Sequence, residues 1–318
     1  MGTPALEFSR RQFVTGGLCA ACLSAARVRA DSHDLSPLRT REVAPGIHVR
    51  RGLDQDASPR NADAIANIGF IVGHDAVAVF DPGGSLIDGR RLRARIREVS
   101  TLPIRYVVMS HDHPDHVFGA GAFADDDPQF VGHARLPSAL ARRGEYYQAR
   151  LEAVLGKGNA GPVIVPTRLV QAREQIDLGG RILSLTAHEV AHSDCDLSAV
   201  DEATGTLLAG DLLFVERIPS LEGQVGGWQR QLAALKQLPV TRAVPGHGSV
   251  SVKWPGAAHD LERYLEVLVR DTRDAVRQHV DIERAVMTVG QSERGRWKLF
   301  DDYHGHNVIQ AFKEIEWQ

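Results

Sequence analysis

The segment His111-Asp112-His113-Pro114-Asp115-His116 places three imidazoles and the carboxylate of Asp115 at the donor positions of an H-x-H-x-D-H pattern in one short loop. Nitrogen and oxygen donors mixed in this way suit a zinc-type ion. In an extended chain His111 and His113 point the same way, because side chains alternate with period two, so the pair can grip one cation. Asp115 and His116 then turn toward a second. A solvated histidine-rich loop is the rival reading. Against it, this loop opens at the end of Ile104 to Met109, a continuous apolar run of buried-strand length, and α/β folds place their sites at such carboxyl ends.

The flanking sequence supplies elements able to position that loop. Ile47 to Val49 and Asn67 to Phe80 read as strand, turn and strand, and Asp81-Pro82-Gly83-Gly84 ends the last of these abruptly. Leu92, Ile96 and Val99 at helical spacing predict an amphipathic helix over Leu86 to Val99. A second helix is expected from Leu136 to Leu155, followed by a Gly/Pro-rich linker at 156–166. Arg181 to Thr186, Leu197 to Val200 and Thr206 to Ala209 repeat the strand theme. Trp228 to Leu238 reads as a helix, Ala243-Val244 as a strand, and His259 to about Val280 and Asn307 to Ile315 as helices. The pattern is α/β, with two β-rich halves that each close in helices.

These residues resemble the metallo-β-lactamase-fold hydrolases. Asp81-Pro82-Gly83 matches that family's first motif, and His111 to His116 its H-x-H-x-D-H signature. Ala191-His192-Ser193-Asp194, Ala209-Gly210-Asp211 and Pro245-Gly246-His247-Gly248 match the later motifs in order. Ala191 and Cys195 depart from the residues usual at their places. The resemblance implies an αββα sandwich of two mixed sheets flanked by helices. It also implies two Zn²⁺ ions, the first held by His111, His113 and His192 and the second by Asp115, His116 and His247. It further implies that Asp211 bridges them or binds the second ion, that Asp81 steadies a histidine ligand, and that Asp115 or a bound water shuttles the catalytic proton. Zinc lowers the pKa of bound water from 15.7 to about 7, which supplies a nucleophile without serine or cysteine.

His188-Glu189-Val190-Ala191-His192 also satisfies H-E-x-x-H, the helical zinc-protease pattern. Strand-like residues before it and turn chemistry at Ser193-Asp194-Cys195-Asp196 leave too little chain for that helix, so His188 is assigned to a loop. His304-Gly305-His306, after Tyr303, reads as a surface loop, with a substrate-side element at the cleft as the alternative. Cys195 reads as a small buried core residue rather than a metal donor. His33, His48, His74, His259 and His279 lack companion donors and are not proposed as ligands.

Composition narrows the remaining classes. The 318 residues carry a formal net charge of −3, with no basic block of the kind a nucleic-acid binder needs. Arg10-Arg11 ahead of an uncharged stretch from Gln12 to Ala26 resembles a twin-arginine (Tat) signal peptide, with cleavage expected after Ala30. The expected organisation is a signal over 1–30 and a hydrolase domain over 31–318, ending in a helical tail from about 256 to 318. Removal of 1–30 takes away Arg10, Arg11, Arg27, Arg29 and Glu7 and leaves a mature charge of −6. Cys19 and Cys22 leave with it, so no intramolecular disulfide is expected, and no membrane insertion of the mature chain.

Substrate is less constrained, because this fold runs many hydrolyses on one metal platform. Lactamases with cysteine at the Asp211 position typically carry Lys three residues later, where Phe214 stands here. The bridging Asp is the pattern of thioester, lactone and phosphodiester hydrolases. The leader, Gly210 to Phe214, Gly227-Trp228 and Trp254-Pro255 look like the exported quinoprotein relay system zinc metallohydrolases, which implies a small-molecule substrate, periplasmic location and a link to a quinoprotein dehydrogenase system. A β-lactam hydrolase and a non-catalytic periplasmic metal-binding protein are the alternatives.

Overall fold

The computed structural model describes residues 38–317. The segment assigned to export, 1–30, lies outside them, as does His33. Seven strands form the first sheet in chain order: β1 (Arg41–Ala44), β2 (Ile47–Arg50), β3 (Ile68–Val72), β4 (Val77–Phe80), β5 (Ile104–Met109), β6 (Gln129–His133) and β7 (Arg168–Val170). The first four pair antiparallel and β4 to β7 run parallel. The second sheet has the order β13-β12-β11-β10-β9-β8, from β8 (Arg173–Asp177), β9 (Ile182–Ala187), β10 (Leu197–Asp201), β11 (Thr206–Phe214), β12 (Arg242–His247) and β13 (Val252–Lys253). Only β11 and β12 are parallel in it.

The period-two alternation sorts side chains between layers. In β4, Ala78 and Phe80 face the second sheet, where they meet Leu185, Leu197 and Leu208. Val77 and Val79 face outward onto Leu92 and Ile96 of α1 (Leu86–Val99). Ser85 caps α1 by accepting the backbone N–H of Asp88 at 3.1 Å. After the one-turn helix α2 (Pro114–Val117), α3 (Leu136–Leu155) covers the site end of the first sheet with Leu136, Leu140 and Leu151. The outer face of the second sheet is covered by α4 (Val225–Leu235), α5 (His259–Arg277) and α7 (Phe300–Glu316), with the short α6 (Ile282–Thr288) between the last two. The result is an αββα sandwich, and among the described residues no helix is long and apolar enough to cross a membrane.

Several expectations change in detail. The strand predicted to stop at Ala209 runs on to Phe214, because a bulge at Gly210 lets the chain keep pairing with β12. The helix expected at Trp228 begins at Val225. Strands β7 and β8 and helix α6 carried no signal, since the strands are short and rich in charge and lie at or near sheet edges. His304-Gly305-His306 is not a loop but part of α7. His304 is buried, stacks on Phe300 at 4.1 Å and faces Val289 O at 2.8 Å, and Gly305 sits where a side chain would crowd Val286 of α6.

Candidate metal centre

The carboxyl ends of β4, β5, β11 and β12 meet at one end of the sandwich, and each delivers site residues there. Asp81 follows β4 in a left-handed conformation (φ 57°), uncommon for a residue with a Cβ and characteristic of sites the surroundings over-determine. Beyond β5 the chain bends at His111, and His113 occupies the N-cap of α2 with Pro114 behind it, which puts Asp115 and His116 on a helical turn. Asp211 sits just past the Gly210 bulge. Gly210 has φ 52°, and a Cβ there would lie 2.8 Å from that of Ser110, so glycine alone lets β11 approach the histidine loop. His192 arrives on the loop between β9 and β10, and His247 ends β12.

Two donor groups result. One donor atom from each of His111, His113, His192 and Asp211 lies within 4.8 Å of the others, and Asp115, His116 and His247 make a second such group. Asp211 aims one oxygen at each: Oδ2 lies 3.5 Å from His192 Nε2 and 3.8 Å from His111 Nε2, while Oδ1 lies 3.1 Å from His116 Nε2 and 3.4 Å from His247 Nε2. Asp115 Oδ2 is 3.3 Å from His247 Nε2.

The outward nitrogens of four histidines are held by oxygen. His192 Nδ1 faces Ser220 O (2.7 Å), His247 Nδ1 faces Ile65 O (3.0 Å), His116 Nδ1 faces Asp81 Oδ2 (2.7 Å) and His111 Nδ1 faces Ser110 Oγ (2.9 Å). Ser110 Oγ in turn donates to Asp81 Oδ2 at 2.9 Å, so one carboxylate orients a histidine of each group, directly and through a hydroxyl. Protons held on these outer nitrogens turn each Nε2 lone pair inward, the arrangement by which metal-binding histidines are fixed.

The donor set fits divalent cations. His111 Nε2, His113 Nε2, His116 Nε2 and Asp211 Oδ1 are buried with no hydrogen-bond partner, a costly state for polar atoms that a cation relieves. Burial lowers His192 to about 3 and, with its histidine neighbours, pushes His111 well below its ordinary value, which keeps both neutral as ligands must be. Burial would lower His116 too, but Asp211, Asp115 and Asp81 outweigh it and raise it well above its ordinary value. Burial opposes ionisation of Asp211, yet His247 and His116 hold its carboxyl well below the usual range. The carboxylates around these histidines, buried Asp81 and Asp211 and half-buried Asp115, therefore call for positive charge.

The centre opens into a cavity of about 470 Å³. His113, Asp115, Asp211 and His247 line its base, with Tyr147, Leu151 and Val154 of α3 on one side and Arg217, Ile218 and Tyr303 on another. The segment carrying Arg217 is gripped by the C-terminal region. Ile218 N–H donates to Lys298 O and Lys298 N–H to Glu216 O, while Asn307 of α7 accepts from Leu221 N–H and donates to Pro219 O. Glu222, on the same segment, pairs with Arg143 of α3.

His188 stands outside both donor groups. It lies in a loop after β9, its ring nitrogens facing Ser198 Oγ (2.8 Å) and Gln231 Oε1 (3.1 Å), and Glu189 is exposed, so the helix a zinc protease needs is absent at this position. Cys195 is fully buried against α3 residues with its thiol 3.5 Å from Asp112 Oδ1, and burial raises its pKa. Sequence reasoning missed Ser110, Arg217 and Tyr303. Ser110 directly precedes the histidine loop and could have been suspected; Tyr303 adjoins the His304-Gly305-His306 segment that had a cleft-side reading, and it is Tyr303 that reaches the cavity, through the packing of α7.

The fold and the paired donor groups define a metal-dependent hydrolase class, and the comparisons agree. A profile of the Metallo-beta-lactamase superfamily matches residues 62–247, more than half of the chain, and the protein belongs to that superfamily of metal-dependent hydrolases. The chain is 32% identical over 62 residues to the linear primary-alkylsulfatase of Pseudomonas sp. (strain ATCC 19151), a match covering 20% of this chain and 12% of that protein. Among solved structures, a metallo-beta-lactamase from Pontibacter korlensis superposes with a TM-score of 0.58 at 14% identity, over 72% of this chain and 99% of that one. TMB-1 gives 0.57 at 14% identity over 72% and 97%. At that identity the likeness is one of fold.

Proposed function

We propose that this protein is a zinc-dependent periplasmic hydrolase that cleaves an ester, thioester or lactone-type bond. The observation that carries the reading is Asp211, with one carboxylate oxygen directed at each of two histidine-rich donor groups. His111, His113 and His192 would hold one zinc ion and Asp115, His116 and His247 the other, with Asp211 between them. Bound zinc would activate water near neutral pH and polarise the scissile carbonyl.

The chain's own groups do the rest. Asp115, half-buried at the cavity base, stands where it can carry a proton toward the leaving group. Asp81 and Ser110 keep His116 and His111 in register. Phe214 stacks on His247 at 4.9 Å, and Trp228 meets the His192 ring edge-on at 5.2 Å, which walls those rings on their core side. Phe214 also occupies the place where a lactamase of the cysteine type has its lysine, which favours esters and thioesters over lactams.

The Tat-like Arg10-Arg11 leader supports export to the periplasm. Its combination with Gly227-Trp228 and Trp254-Pro255 supports a link to a quinoprotein dehydrogenase system. Replacing Arg10 and Arg11 by Lys should trap the full-length chain in the cytoplasm; unchanged export would refute the leader. For the activity, purified protein is offered carboxyl esters, lactones, thioesters, lactams, phosphodiesters and, in view of the short alkylsulfatase similarity, alkyl sulfates. Turnover of the first three, lost on chelation and restored by zinc, is expected. Turnover confined to lactams would overturn the proposal.

A further inference from the structure

Asp63 is 2% exposed and lines the cavity, and its carboxyl accepts no hydrogen bond among the described residues. The chain is built to hold it there. Ala62 and Asp63 both have left-handed backbones, with φ 50° and 61°, an arrangement that persists only where the surroundings impose it. Asn61 Oδ1 accepts the N–H groups of Ser58 and Asp63, and Ser85 Oγ donates to Ala62 O at 2.6 Å. Gly84 lies so close that a Cβ there would come within 2.2 Å of Asp63 O and 2.6 Å of its Oδ2. A carboxyl fixed in this way, buried and without a donor, is costly unless a ligand supplies one.

The surrounding charges narrow that ligand. Burial, with the charges of Asp115 and Asp88, pushes the Asp63 carboxyl well above its usual range, and Arg217 and His116 draw it down without cancelling the rise. Arg217 attracts Asp63 but directs its terminal nitrogens elsewhere: Nη2 donates to the Tyr303 hydroxyl at 3.0 Å, and Nη1 faces His247 Nδ1 at 3.2 Å. Outside the donor groups, Asp56, Asp63, Glu222 and Asp302 line the cavity against Arg150 and Arg217. An anionic substrate would meet repulsion from these carboxylates, whereas a protonated nitrogen brings Asp63 both a donor and a positive charge, and such charge-assisted bonds are the strong ones. Building on the hydrolase reading above, we propose that Asp63 is a substrate-binding carboxylate that receives a protonated nitrogen group, which makes the preferred substrate an ester, thioester or lactone carrying an ammonium or guanidinium group.

The test is equilibrium binding, read apart from turnover. Protein purified with zinc is titrated calorimetrically with n-butylguanidinium, n-butylammonium and the neutral n-butylurea, with zinc content and melting temperature measured on the same samples. The better-fitting cation should bind about 10- to 100-fold tighter than butylurea, the range of a charge-assisted hydrogen bond, and its identity names the nitrogen group. Asp63→Asn keeps the shape of the side chain, and asparagine accepts a left-handed backbone, so this variant should keep its fold and zinc while the ratio drops close to one. Asp63→Ser makes the same test if the asparagine variant fails to fold. A wild-type ratio near one overturns the proposal with no variant needed. So does a ratio unchanged in the variants, or zinc lost from a folded variant, since the carboxyl would then belong to the metal centre. Failure of the wild type to bind zinc or to cleave any ester would instead count against the hydrolase reading, and the cation ratio still decides the role of Asp63.

Discussion

The base of the site and its rim are built in different ways. At the base, His111, His113, Asp115 and His116 come from one loop, and Asp81 and Ser110 orient two of them from neighbouring strand ends. His111 follows the end of β5, Asp211 lies near the end of β11 and His247 ends β12, so strands buried in the inter-sheet core anchor the base, and sheet register sets the positions of these donors. At the rim, Arg217, Ser220 and Glu222 lie on an irregular segment whose backbone is secured by Lys298 and Asn307, residues far away in sequence. The two meet at His192, whose Nδ1 faces Ser220 O on the rim segment.

That division can be broken experimentally. The largest effect is expected at Asp211, because it alone faces both donor groups. Asp211→Ala should lower zinc from about two equivalents to one or fewer, with hydrolysis lost to background. Two equivalents retained, measured by elemental analysis, would show that the groups do not share this residue. Next, Asp115→Asn should cost about 10²- to 10⁴-fold in rate, the range for losing a proton-transfer group, while Glu189→Gln should change little. The reverse order of damage would revive the protease reading that the loop at His188 contradicts.

Smaller losses should follow from the residues behind the ligands. Ser110→Ala removes the hydroxyl that links His111 to Asp81, and a decline of about 10- to 100-fold in zinc affinity is expected, as for other groups that orient metal ligands. A chelator competition would read it, and an unaltered affinity would mean that sheet register alone orients His111. The smallest effect should belong to the rim. Asn307→Ala leaves Leu221 N–H and Pro219 O without their partner and should cost about 1–3 kcal/mol of stability in denaturant unfolding, with zinc content intact. Zinc lost together with stability would show that rim and base are one unit, coupled through Ser220 and His192.

How far each region was legible follows from the same contrast. The base could be read because its residues are local or carry local signals: an apolar run that must be a strand, a histidine pattern at its end, and short motifs such as Ala209-Gly210-Asp211. The spans of α1 and α3 followed from apolar spacing, and both occur as predicted from Leu86 to Val99 and from Leu136 to Leu155. Edge strands β7 and β8 escaped because their few residues, such as Arg173 and Glu174, bury little and show no clean alternation.

What the sequence alone determined is the donor set and its attachment to strand ends, since covalent spacing and period-two alternation are properties of the chain itself. Only the tertiary structure decided that Asp211 divides its two oxygens between the groups and that Asp81 reaches His111 through Ser110. It also decided that Tyr303, beyond the last motif, lies against Arg217. Those contacts join residues up to 100 positions apart, and no local pattern encodes them. They arise when the two sheets close on each other and the C-terminal helices bury their apolar faces on β11, bringing together polar groups that the chain holds far apart.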